Sequence, residues 1–131
     1  MLHIETLREK VLLRPGGEWD SSVEMELKSR ILGKMSEGYR DFVIDLSELG
    51  HIKYSILPDL LSFYRQIRRQ GAELALASPS SYLLSILAAG DLAGQVPIYP
   101  SEACAGPDDW SSSAAMVHWQ EGEREESGLG L

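Results

Sequence analysis

Apolar and polar residues alternate along Leu2-His3-Ile4-Glu5-Thr6-Leu7, the period of a half-buried strand. Lys10 to Arg14 (KVLLR) reads as a second short strand, closed by Pro15-Gly16-Gly17, where the glycine pair reads as turn chemistry. The period then changes. Val23, Leu27, Ile31 and Met35 recur every four residues and share one helical stripe. Asp20 or Ser21 is placed to cap that helix, Glu24 stands at the capping-box distance from Ser21, and Gly38 closes it. Asp41 to Leu46 (DFVIDL) is a continuous apolar run suited to a central strand covered on both faces.

The same alternation of elements continues. Leu57, Leu60, Leu61, Tyr64 and Ile67 or Arg68 lie at helical spacing up to Gly71. Glu73 to Ala77 (ELALA) is the next strand. Ser80 or Ser81 caps a third helix carrying Leu83, Leu84, Ile86 and Leu87 and ended by Gly90. Val96 to Tyr99 (VPIY) is a short strand whose Pro97 assigns it to an edge or an entry position. Ser101 to Ala105 adds one further helical turn. Two strands that can pair antiparallel, followed by helix and strand three times, predict an α/β domain with a mixed, mostly parallel sheet of about five strands.

Length and composition narrow this little: 131 residues suit one domain, and 44% apolar content is ordinary for a globular one. Charge changes the picture more. The formal net charge is −8, which argues against nucleic acid or an anionic membrane as partner. From Pro107 onward stand six acids and one base, leaving −3 for the first 106 residues. Residues 106–131 are therefore read as an acidic, largely disordered tail behind a domain over 1–105, with Ala114 to Trp119 (AAMVHW) as a stretch able to dock or form a short element. No apolar run approaches the ~20 residues of a membrane span, the start lacks a secretory pattern, and a single cysteine favours a reducing compartment; the expected location is the cytoplasm.

Candidate chemistry is sparse. His3, His51 and His118 are far apart and Cys104 has neither a CxxC partner nor a base beside it, so neither a metal site nor a thiol nucleophile is expected. Glycine-rich phosphate cradles are absent, and no cofactor is expected. Arg65, Arg68 and Arg69 form a basic patch, either a solvated helical face favoured near the helix C-terminus or a docking surface for an acidic partner. Trp19 and Phe63 are either core or exposed contacts, and Phe63, off the main stripe of its helix, is the better contact candidate.

Five phrases in order resemble the STAS domain, shared by sulfate transporters and bacterial anti-sigma factor antagonists: GEWD (17–20), FVIDLS (42–47), IKYSIL (52–57), GAELALASP (71–79) and VPIYPSEA (96–103). The resemblance covers roughly residues 2–105, with the tail outside. In the antagonists an Asp-Ser-Ser-Gly motif follows the Asp-Leu-Ser strand end, and its first Ser is phosphorylated by a kinase that is also the anti-sigma factor. Here that motif falls on Lys53-Tyr54-Ser55-Ile56, and only the second Ser survives. A site built for a small aliphatic hydroxyl does not simply accept a phenol, and Ile56 lacks the backbone freedom of Gly. Ser55 remains as a weak phosphorylation candidate. It is otherwise a helix N-cap with the Leu57 N–H as donor.

The resemblance implies a bacterial, non-enzymatic regulatory module that binds another protein through Lys53, Tyr54, Ser55, Ile56, Asp59, Phe63 and Arg65, with the usual Ser switch lost. The partner it implies is an anti-sigma factor or serine-kinase-like protein, or another protein of a STAS pathway, and a homodimer is compatible with it. The alternatives are a STAS domain that senses a small ligand or nucleotide and a STAS accessory subunit of a lipid-transport complex.

Overall fold

The computed structural model describes residues 2–100; the helical turn expected at Ser101–Ala105 and the acidic tail lie outside the described residues. Two strands, β1 (Leu2–Leu7) and β2 (Lys10–Pro15), open the chain as an antiparallel pair. β4 (Asp41–Asp45) then lies parallel to β2, β6 (Glu73–Ala77) parallel to β4, and β7 (Ile98–Tyr99) parallel to β6. The result is a mixed five-stranded sheet in the order β1-β2-β4-β6-β7. Pro97 enters the edge strand β7: it has no N–H to offer, and its carbonyl accepts from Leu76 N at 2.9 Å.

Three helices separate the parallel strands: α1 (Ser21–Ser36), α2 (Leu57–Arg69) and α3 (Ser81–Ala89). Their buried residues, among them Leu27, Ile31, Leu60, Ile67, Leu83 and Leu87, join one cluster with the sheet positions Val11, Leu13, Phe42, Ile44, Leu74 and Leu76. Alternation along the strands turns Leu12, Val43 and Ala77 to the opposite face, where Tyr99 packs on them.

The helix ends follow the caps in the sequence. Asp20 accepts from Val23 N at 3.0 Å and Ser80 from Leu83 N at 3.1 Å. Gly38, at φ +105°, supplies the left-handed residue just past α1. The capping box is a correction: Ser21 is already the first helical residue, and Glu24 turns into the interior to meet Trp19.

Two strands have no counterpart in the hydrophobic pattern. β3 (Gly17–Trp19) and β5 (Leu49–Ile52) pair parallel as a separate two-stranded sheet. Gly17 does hold a turn conformation, φ +80°, yet its N–H also bonds Glu48 O at 3.2 Å. Segments of three and four residues that contain glycine cannot display a period of two.

Candidate functional site

The corner between β5 and α2 is built from backbone bonds. Trp19 and Ile52 are partners across β3 and β5, and one residue on Lys53 N donates to Trp19 O at 3.0 Å. Tyr54–Ile56 then form a single 3₁₀ turn: Ile56 N bonds Lys53 O at 3.1 Å, and Leu57 N bonds Tyr54 O. Pro58 stands in the first turn of α2, where its missing N–H costs nothing.

This geometry sorts the residues expected there. Lys53, Tyr54, Ser55, Asp59 and Arg65 are exposed, Tyr54 to 56%. Two expectations are overturned by burial: Ile56 is 2% exposed and Phe63 4%, and both belong to the core cluster. Trp19 is fully buried in the same cluster. The capping role of Ser55 is overturned as well, because the 3₁₀ turn satisfies the Leu57 N–H with the Tyr54 carbonyl and leaves the Ser55 hydroxyl at the surface. Of the basic patch, Arg65 Nη2 donates to Gln95 Oε1 at 2.6 Å and Arg68 Nη1 to the Tyr64 hydroxyl at 3.0 Å.

Several residues that support the corner were not legible as a group. Tyr82, on the first turn of α3, places its hydroxyl 2.7 Å from His51 Nδ1, with the rings stacked at 5.8 Å. Glu18 approaches the other imidazole nitrogen at 3.9 Å. They join three separate elements, and no spacing in the sequence announces them. Beneath the corner, Trp19 Nε1 donates to Glu24 Oε1 at 2.9 Å, and Glu24 Oε2 faces Lys28 Nζ at 3.5 Å. The Trp19 residue that holds Lys53 by its carbonyl is thus itself held by its indole.

Burial pushes the Glu24 carboxyl above its ordinary range; the Trp19 N–H and Lys28 pull it down, and Asp59 pushes it further up. The native state therefore binds this proton more tightly than the unfolded chain. Glu24 stabilises the fold most below its ordinary value near 4.5, and that contribution is lost as pH rises through the higher folded value. Urea midpoints of the native chain and of Glu24→Gln, taken across the mildly acidic range, are expected to differ by an amount that changes with pH in this direction. A difference independent of pH contradicts the assignment.

No helix among the described residues is long and apolar enough to cross a membrane. No group of three or more His, Cys, Asp or Glu among them could hold a metal ion.

No curated protein matches the chain. Among solved structures it is similar to TM1081 in its NMR structure, at 23% identity over 80% of this chain and 85% of that one, with a TM-score of 0.71. A crystal structure describes TM1081, from Thermotoga maritima, as a putative anti-sigma factor antagonist; there the identity is 22%, the coverage 75% and 85%, and the TM-score 0.66. The unphosphorylated anti-sigma factor antagonist SpoIIAA is similar at 16% identity over 87% of this chain and 99% of that one, with a TM-score of 0.68. At such identities these likenesses speak for the fold. The model of the STAS domain family matches residues 2–105, and the chain belongs to that family.

Proposed function

We propose that this chain is a cytoplasmic regulatory module that acts by binding another protein, in the manner of an anti-sigma factor antagonist. Lys53, Tyr54 and Ser55 form the centre of the contact, and Asp59 and Arg65 tune its charge. The partner is an anti-sigma factor or a serine-kinase-like protein. The observation that carries this reading is the half-exposed Tyr54 on a corner pinned by backbone hydrogen bonds. A tyrosine offers a large amphipathic surface at small entropic cost, and a rigid corner spares the ordering cost of binding. With Lys53 and Tyr54 where the antagonists carry Asp and Ser, the module binds without the usual phosphorylation cycle.

The test compares capture of a serine-kinase-like partner from the native cell by the wild-type chain, Tyr54→Ala and Ser55→Asp. Tyr54→Ala is expected to lower recovery at least tenfold, the scale of a hot-spot residue. Its unfolding free energy should stay within ~0.5 kcal/mol of wild type, since Tyr54 buries little. Intact mass of native material should show no stoichiometric phosphate. Unchanged recovery by both variants would remove the corner from the interface.

A further inference from the structure

A groove of about 810 Å³ opens along α2 and α3 toward the edge strand β7, within the roughly 300–1,000 Å³ of small-molecule sites. Tyr64 and Arg68 of α2, Leu84 of α3, and Val96, Pro97 and Ile98 line it. Its wall is tied in place. Gln95 Nε2 donates to Asp91 O at 2.6 Å, Gln95 N to Leu92 O at 2.9 Å, and Val96 N to Leu92 O at 3.0 Å. Arg65 holds the Gln95 side chain from α2. Leu84 is 43% exposed, an apolar side chain left at the surface where the groove opens.

Charge decides what this groove accepts. Among the described residues no carboxylate lines it, although the chain as a whole carries −8, and Arg68 is the one charged residue of that lining. That guanidinium is oriented, with Nη1 on the Tyr64 hydroxyl and its carbon 5.7 Å from the Tyr64 ring centre. One of five donors is spent on Tyr64, and the planar fork retains donors suited to a carboxylate. The Glu73 carboxylate, outside the lining, already acts on this guanidinium, so it favours no more than one further negative charge, and the neighbouring Arg65 is engaged by Gln95. A phosphate, with nearly two charges, finds no second lining cation among the described residues.

We propose that this groove is a binding site for an amphipathic monocarboxylate, its alkyl or aryl body against Leu84, Val96 and Ile98 and its carboxylate on Arg68. The site is separate from the Lys53–Ser55 corner and stands whether or not that corner binds a protein.

The full chain is titrated with octanoate and with 1-octanol, following the amide signals of Leu84, Gly94 and Ile98 by ¹H–¹⁵N spectra. Octanoate should shift them saturably at one equivalent, and 1-octanol should bind at least tenfold more weakly. Arg68→Met, which keeps the apolar stem, should erase the preference for the acid. Leu84→Asp, at an exposed position, should abolish binding of both while the spectrum stays dispersed. The proposal fails if octanoate produces no saturable shift at these amides, as when another segment of the chain already fills the groove. It fails equally if acid and alcohol bind alike, or if neither substitution matters.

Discussion

Phe63→Ala is expected to cost ~3–5 kcal/mol of unfolding free energy, the range for removing a buried phenyl ring. Phe63 is 4% exposed and shares the core cluster with Leu60, Tyr64 and Ile67 of its own helix. The ammonium of Lys28, on α1, lies 5.8 Å from its ring centre, so the ring sits where α1 approaches α2. Removing it leaves a cavity that backbone relaxation fills only in part, which adds to the lost transfer energy. Urea denaturation with wild-type and variant slopes compared is the measurement. A contact residue would behave in the opposite way, with binding lost and stability kept, as expected for Tyr54→Ala. A cost below ~1 kcal/mol would mean that α2 presents this face to solvent.

The misreading of Phe63 has a geometric cause. The spacing Leu57, Leu60, Leu61, Tyr64 and Ile67 draws a stripe, and Phe63 falls outside it. At about 100° per residue, however, Phe63 stands only ~40° from Ile67. The buried arc of α2 runs from Phe63 through Ile67, Leu60 and Tyr64 to Leu57, with Leu61 half-buried at its far edge. The pattern located a helix and its apolar side, and the packing of α1 against it chose how far the helix is turned.

The sheet was more legible than the site for a similar reason. DFVID and ELALA are central strands with both neighbours in place, and in DFVID continuous burial leaves a continuous apolar run. At the corner, sequence order alone set Lys53, Tyr54 and Ser55 side by side, and a polar turn between two elements favours exposure. Ile56 could not be assigned that way. It shares the turn but points into the core, which depends on the 3₁₀ geometry rather than on the identity of its neighbours. Glu24 shows the limit most plainly. A glutamate three residues after a capping serine has a local explanation, and its burial on Trp19 becomes visible only when β3 and α1 are packed.

Arg14→Met tests a second buried charge, and here the effect should reach roughly 3 kcal/mol. Asp45 ends β4 with its side chain 2% exposed; Oδ2 accepts from Arg14 Nε on the neighbouring strand β2 at 2.8 Å, and Oδ1 from Ser47 N at 3.0 Å. Methionine retains much of the arginine stem and so keeps most of the packing. What it removes is the positive charge. Losing one member of a buried ion pair costs ~3–5 kcal/mol because the other charge stays behind unpaired; Arg14 is 20% exposed, which places the effect at the lower end. The double variant Arg14→Met with Asp45→Asn separates the possibilities. An amide still accepts from Ser47 N and carries no charge, so the pair should be at least ~1 kcal/mol more stable than Arg14→Met alone, a coupling within the range seen for residues in contact. If Arg14→Met costs less than ~0.5 kcal/mol, or if Asp45→Asn adds its own loss on top, the carboxylate at the end of β4 does not depend on the guanidinium. The bend from Asp45 through Ser47 toward β5, and with it the corner at Lys53, would then be fixed by backbone bonds such as Leu46 N to Ala77 O at 2.7 Å.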